Sequence, residues 1–552
     1  MTDAAFDPDA ELQAAMAAHN AGRAEDAARG YERLLAADPG HVDALNLLAI
    51  IEMEAGRLDR ALNLAGAAAA RLEHPYVLGN LGEILLAAGD APGAEASLGR
   101  ALELAPDDDR LWGLMTSALA RQDRLEEAEE ANARVLARRP DDAQALANLG
   151  AFAIVRDDLA VAQQVLERAA ALQPDGLDAL LNLGKAHLEQ DRPDLAEAVC
   201  RRALAAHPGE VRALRDLGDA LLHAGKWAEA WPFYSHRVSA IRLSGNMHAP
   251  IWDGGPLNGG TFLLVGEQGL GDVIQFVRYA PWLKGRGAGR IVLGAAEPLR
   301  RLLSLADGVD EVVALDALPQ DIEAWASVMS LPGLHGLTPD RRSELLPHGL
   351  PYIRLPQPSE VETSDSPGPG APLRVGLFWA GELKTLPRLV SRMDAARSLE
   401  LDQVLPLLEA PELEGRVAWT ILQRDRRPAG LDERARVRNW ADPFAAGAAS
   451  PPADLLDTAR IIAGLDLVIG VDSALIHLAG ALGRPAWMLD RRAHCWRWAG
   501  DEAHSDWYPN TLRIFRQSTR GDWEGPLTGV RQALARMAAL APLAESQPPL
   551  TP

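Results

Sequence analysis

Four prolines, Pro106, Pro140, Pro174 and Pro208, stand 34 residues apart, and a chain that repeats at that interval stacks like units rather than closing one core. A second series, Gly89, Asp123, Asp157, Asp191 and Gly225, keeps the same spacing and marks a turn midway between the prolines. Gly22 and Gly56 extend it backwards, with one residue lost between Gly56 and Gly89. Two helical stretches flank each midpoint. Small residues recur where the helices must approach: Gly82, Gly150, Gly184 and Gly218 in the first, Ala94, Ala128, Ala162, Ala196 and Ala230 in the second. About seven units fit between residue 8 and residue 240, which predicts an α-solenoid over residues 1–240.

The unit resembles the tetratricopeptide repeat (TPR), whose pattern sets Leu-Gly in the first helix, Ala in the second and Pro at the close, as Leu149-Gly150, Ala162 and Pro174 do here. That resemblance implies an interaction surface and leaves the ligand open. Asn80, Asn148 and Asn182 share one place in their units, on the helix that lines the concave face in this family; Leu114 and Asp216 interrupt the row. A side-chain amide donates and accepts at once, so such a row could grip the main chain of an extended protein segment. Asn at this place is also common in the repeat consensus.

Composition narrows the rest. With 55 Lys and Arg against 77 Asp and Glu, the net charge of -22 would repel a phosphate backbone, so nucleic acid is not expected as a partner. Cys200 and Cys495 alone are too few for a disulfide framework or a cysteine zinc site, which fits a reducing, cytoplasmic setting. The first ten residues carry acids where a signal peptide needs basic ones, and no apolar run of about 18 residues follows, so neither export nor a transmembrane segment is expected.

From residue 241 the pattern changes to SGNMHAPIWDGGPLNGG, read as a linker over 241–260. TFLLV, a Gly-rich loop, a helical stretch and RIVL then spell strand, loop, helix, strand, opening an α/β lobe over 261–355. Residues 356–372, with five prolines, read as a second linker. RVGLFWAG, VAWTIL, LDLVIGVD and PAWML build a second α/β lobe over 373–541, and 542–552 reads as a disordered tail. The fold class is therefore α-solenoid followed by α/β. Two such lobes joined by a linker point to a cleft enzyme, because open parallel sheets bind ligands beyond the carboxyl ends of their strands.

Two segments can carry chemistry. In LDLVIGVDSALIHLAGALGRP an apolar strand ends at Asp472, and Ser473 and Ala474 turn into a helix whose first turn holds His477. Exposed N–H groups at such a helix start suit a diphosphate, whereas GxxxxGK(S/T) occurs nowhere, against a P-loop. In GEQGLGDVIQF three glycines lead to Asp272, a carboxylate able to take a proton from an attacking hydroxyl or simply to cap a helix.

Together with WRWAGDEAHSDWYPNTLRIFRQSTRGDW, these segments resemble the glycosyltransferase domains of bacterial TPR proteins related to the lipopolysaccharide heptosyltransferases, over about residues 261–540. The resemblance implies a GT-B fold of two Rossmann-like lobes, a nucleotide-sugar donor held mainly by the second, inverting transfer, and no metal or other cofactor. It implies Asp272 as catalytic base and Asp472, Ser473, Ala474 and His477 as donor-binding residues. Relatives carry a basic segment like HxNDRxRS after the first strand of the second lobe. This chain has ELKTLPRLVSRMDAARSLEL instead, where Arg397-Ser398 matches the end of that segment and Lys384 or Arg392 is the other candidate phosphate-neutralising charge. Gln268 is assigned to the acceptor side with Asn80, Asn148 and Asn182. Arg491, Arg492 and His494 either shape a different sugar pocket or are solvated charges. The expected acceptor is a protein recruited by the repeats, such as flagellin or another surface protein. Alternatives are a lipopolysaccharide or polysaccharide acceptor, or a TPR scaffold whose transferase domain is inactive. The array also resembles that of nucleocytoplasmic O-linked N-acetylglucosamine transferases, but their catalytic motifs are absent, so that donor is not assumed. Donor sugar and oligomeric state stay open.

Overall fold

The computed structural model describes residues 6–240, 249–345, 349–356, 371–381, 395–425, 427–446, 448, 451–499 and 503–540. Among these, seven helix pairs come first, from Pro8–Asn20 with Ala24–Ala37 to Val211–His223 with Trp227–Tyr234. The mid-unit series has a physical cause: all seven positions have positive φ, from 59° at Asp191 to 86° at Gly89. That left-handed conformation ends a helix, and Gly or Asp adopts it at least cost. The small-residue series has another. A Cβ on Gly150 would lie 2.3 Å from Leu166 Cγ, and one on Gly82 2.6 Å from Leu98 Cγ, so the partner helix fills the place of a side chain.

The chain packs as two compact units, Met1–Leu183 and Gly184–Pro552, which part inside the helix Leu177–Glu189. The pattern of the repeat runs on to residue 240, but its last helices belong to the unit that contains the sheets.

In that second unit β1 (Thr261–Val265), β2 (Arg290–Gly294), β3 (Glu311–Val313) and β4 (Ala324–Ser327) form a parallel sheet in the order β3-β2-β1-β4. The segment before β1, read as linker, is more than a connection. Trp252 donates its backbone N–H to the Trp325 carbonyl (2.8 Å) and is buried edge-on against Phe262, with ring centroids 5.3 Å apart. A second parallel sheet holds β5 (Leu373–Leu377), β6 (Val417–Ile421), β7 (Leu467–Val471), β8 (Ala486–Asp490) and β9 (Leu512–Arg516) in the order β6-β5-β7-β8-β9. Every residue of β7 is buried, as its unbroken apolar run requires of a central parallel strand.

Each order reverses once: the chain steps outward from β1 to β3 and returns to place β4 on the other side of β1, and β7 likewise returns beside β5. At such a reversal the loops leave the strand ends in opposite directions and open a crevice. The two crevices are therefore foreseeable before any side chain is considered, and the residues singled out by sequence lie just beyond β1 and β7.

Candidate functional site

A cleft enclosing about 1040 Å³, part of it open to solvent, lies at these strand ends. Gly269, Leu270, Gly271 and Asp272 line it from the loop after β1, Phe378, Ala380 and Gly381 from beyond β5, and Asp472, Ser473, Ala474 and His477 from beyond β7. The two motif helices, Leu270–Phe276 and Ala474–Ala481, abut: a Cβ on Gly271 would lie 2.6 Å from His477 Cδ2 and 3.2 Å from Ala474 Cα. Gly271 is thus the condition for bringing Asp272 beside the second motif, a packing demand and not one of backbone freedom.

Asp272 is both cap and cleft residue. Its Oδ2 accepts from the Gly269 N–H at 2.8 Å, while its Oδ1 meets Arg497 Nη1 at 2.8 Å. Both side chains are mostly buried, Arg497 with 11% and Asp272 with 15% of its surface exposed. Burial works against the Arg497 charge, but Asp272 and Asp472, with Cys495 and Tyr234 nearby, hold its pKa above the usual value. Burial would likewise raise the Asp472 carboxyl, yet His477, Arg497 and Arg397 hold it below the ordinary range. One guanidinium therefore serves carboxylates from both sheets.

His477 is buried. Its Nδ1 lies 3.0 Å from the Tyr508 hydroxyl, its Nε2 3.8 Å from Asp472 Oδ1, and its ring stacks on Trp498 at 5.4 Å. Burial, helped by Arg497 and Arg278 and opposed by Asp472 and Asp272, pushes its pKa from 6.5 down to about 4. At neutral pH the ring is uncharged, a hydrogen-bonding wall rather than a phosphate counter-charge. Because the unfolded ring still titrates near 6.5, the unfolded state binds more protons between pH 6.5 and 4, and stability falls as pH falls through that window. The loss should reach on the order of 2–3 kcal/mol at pH 4. Urea midpoints of wild type and His477→Gln at stepped pH check it: the two curves should run parallel above about pH 6.5, and wild type should lose more stability than the variant between pH 6.5 and 4; curves parallel throughout that window would refute the assignment.

The remaining sequence candidates divide. Arg397 lines the cleft with Asp472 and Ser473, and Ser473 caps its helix through Oγ, which accepts from the Leu475 N–H at 3.4 Å. Lys384 and Arg392 lie outside the described residues. Gln268 is exposed with φ 66° on the loop before Gly269 and is not among the residues lining the cleft. In the first unit Asn80 is buried and its Oδ1 accepts from Arg110 Nη2 (2.7 Å), while Asn148 and Asn182 are half-buried. Asn148 Oδ1 accepts from Gln144 Nε2 at 3.3 Å, so Asn80 and Asn148 each have a partner on their own array through Oδ1. A groove of about 740 Å³ there is lined by Tyr31, Leu47, Tyr76, Asn80, Glu83 and Arg110, among others.

Arg491 and Arg492 are not among the residues lining the cleft, and both are paired. Arg491 Nη1 pairs with Glu189 Oε2 at 3.1 Å and Arg492 Nε with Asp191 Oδ2 at 2.9 Å, both acids belonging to the repeats. His494 turns back to the Arg492 carbonyl through Nδ1 at 3.1 Å. Arg497 was missed by sequence reasoning, although a cation set between Trp496 and Trp498 is a signal that it would be drawn into an apolar interior. Among the described residues no group of three or more His, Cys, Asp or Glu is placed to hold a metal ion, and no helix is long and apolar enough to cross a membrane.

Comparison with known proteins bears on both halves. Family models described as tetratricopeptide repeat match residues 52–109, 153–211 and 201–235 in one case and 18–79 and 85–151 in another. The model described as glycosyltransferase family 9 (heptosyltransferase) matches residues 428–489, the stretch that holds Asp472, Ser473, Ala474 and His477. The chain joins tetratricopeptide repeats to a glycosyltransferase family 9-like domain. Protein FlbA of Caulobacter vibrioides is 29% identical over 344 residues, which cover 58% of this chain and 54% of that protein, so the chain spans about half the length of this curated relative. Among solved structures, PilF of Pseudomonas aeruginosa matches at 19% identity and TM-score 0.32, covering 37% of this chain and 94% of that one. A thermophilic TPR protein of Thermus thermophilus matches at 21% identity and TM-score 0.31, covering 33% and 99%. The family 9 match reaches neither Asp272 nor Arg497, so for these two residues of the TPR–family 9-like chain the geometry above is the guide.

Proposed function

We propose that this chain is an inverting glycosyltransferase of the GT-B type that needs no metal, moving a sugar from a nucleotide-sugar donor to an acceptor hydroxyl. The observation that carries the reading is the convergence of the Gly-Asp loop after β1 and the Asp-Ser turn after β7 on one cleft, with Asp272 and Arg497 paired across it. Asp272, oriented by Arg497 and the Gly269 N–H, takes the acceptor proton as the acceptor oxygen attacks the anomeric carbon. The bond from that carbon to the diphosphate breaks, and the nucleoside diphosphate leaves with the electron pair. Its charge falls on the N–H groups at the start of the helix Ala474–Ala481, with Arg397 and Arg497 in reach of the same cleft. One displacement inverts the anomeric centre.

The acceptor in this reading is a protein held by the repeats, a surface protein such as flagellin in the cytoplasm before export, because a fused array raises the local concentration of a bound chain. The donor site is tested by calorimetry against UDP, GDP, ADP, CDP and CMP. One nucleotide should bind selectively, and Asp472→Ala combined with Ser473→Ala should weaken it by tenfold or more. Absence of binding by all five would overturn the reading.

A further inference from the structure

The last repeat and the turn that follows it contact the segments that carry both Asp272 and Arg497. Arg237, in the 3-10 turn Ser235–Ala240 that follows the final repeat helix, has only 5% of its side chain exposed and pairs with Glu267 Oε1 at 2.8 Å. Its Nη2 also donates to Ser330 Oγ at 2.9 Å and Ser327 Oγ at 3.3 Å, its Nη1 to the Tyr234 carbonyl at 2.9 Å, and Ser327 Oγ in turn donates to Glu267. Ser327 ends β4 and Glu267 follows β1, so this guanidinium fills the crevice at the order reversal of the first sheet, where a parallel sheet would otherwise receive a ligand. Glu267 is the second residue of the loop GEQGLGD that delivers Asp272.

The other member of the catalytic pair is braced from the same side. Trp227 and Trp231 of the last repeat helix pack edge-on against Trp496, at 5.3 and 5.7 Å between ring centroids, and the next residue is Arg497. Trp231 Nε1 donates to the Leu337 carbonyl at 2.7 Å, and Glu189 and Asp191 of the preceding repeat receive Arg491 and Arg492 from the loop that leads to Trp496. A continuous apolar cluster joins Leu217, Trp227 and Tyr234 to Phe276, Trp496 and Trp507.

We infer that the last repeat is a structural part of the catalytic cleft, with Arg237 as a positioning residue that fixes the Gly266–Asp272 loop through Glu267. The inference rests on the glycosyltransferase reading for its kinetic arm only. A guanidinium with four hydrogen-bonding partners sets the loop more tightly than packing alone, and a loss of register near 1 Å at the base costs about a hundredfold in rate.

The test uses the full chain with three substitutions: Arg237→Met, Arg237→Lys, and Arg237→Met combined with Glu267→Gln, which leaves no buried charge uncompensated and serves as the folded control. Turnover is read as release of nucleoside diphosphate from UDP-, GDP-, ADP- and CDP-sugars or of CMP from CMP-sugars, and loop order as hydrogen exchange at the Gly266–Asp272 amides. Expected for the double variant are ten- to hundredfold lower kcat, donor KM within about threefold, and at least tenfold faster exchange in that loop with β7 unchanged; Arg237→Lys should recover part of each. Unchanged exchange and kcat in the folded double variant would overturn the inference. If wild type turns over none of these donors, the glycosyltransferase reading fails, and the exchange result alone decides whether Arg237 fixes the loop.

Discussion

Asp272→Asn should lower turnover roughly a thousandfold, within the 10²–10⁴ range of positioned general bases, while leaving nucleoside diphosphate affinity within a few-fold of wild type. The substitution is nearly isosteric. An asparagine Oδ1 still accepts from the Gly269 N–H, so the helix start at Leu270 keeps its cap and the loop its course. What disappears is the negative charge that can receive the acceptor proton and that offsets the buried Arg497, so the variant should also lose stability, with Asp472 left as the nearby carboxylate. Asp472, Ser473, Ala474 and Arg397, the residues proposed to face the donor, line the cleft from the other sheet's side and are untouched. Calorimetry with the nucleotide that wild type selects, beside single-turnover transfer, separates the two effects. A variant that binds and turns over like wild type would leave Asp272 as a helix cap alone.

What the sequence disclosed follows from what periodicity can report. The interval of 34 residues located the turns, because a left-handed residue is needed at the end of every first helix and only Gly and Asp supply it there. It also located the close helix contacts at Gly82 and Gly150, since a side chain at either would overlap a leucine of the partner helix. The strand ends were legible too. An apolar run followed by Gly-rich or Asp-Ser turns marks where a parallel sheet opens, and Asp272 and Asp472 stand at those ends. Partnership across the fold was not legible. Arg497 meets Asp272 across a sequence separation of 225, and Arg491 finds Glu189 across one of 302, through contacts that exist only once both sheets and the last repeats have packed. Charge signs allowed many pairings for those arginines, and no local rule chose among them. The asparagine row was legible as a shared position but not in its partners: Asn80 Oδ1 accepts from Arg110 one unit further on, and Asn148 Oδ1 from Gln144 of its own helix.

Arg497→Met should produce the second large effect, and here stability and activity should fall together. The guanidinium is the buried cation that Asp272 pairs with directly and that Asp472 feels through the low-dielectric interior. Removing one partner of such a pair leaves the other charge buried and uncompensated, a loss of about 3–5 kcal/mol. In turnover the loss should exceed a hundredfold, since both the orientation of Asp272 and a share of the leaving-group neutralisation go with it. Arg497→Lys keeps the charge but presents an ammonium in place of the planar fork, so it should regain more stability than rate. The decisive variant is Arg497→Met with Asp272→Asn. With both charges gone, the unfolding midpoint should recover most of the loss, giving a stability coupling energy above about 1 kcal/mol in a double-mutant cycle, while turnover falls below the Asp272→Asn level only by the share that Arg497 contributes to leaving-group neutralisation. Additive losses in the cycle would mean that the two side chains are neighbours without being partners, and the role of Arg497 would then have to be sought in its packing between the tryptophans.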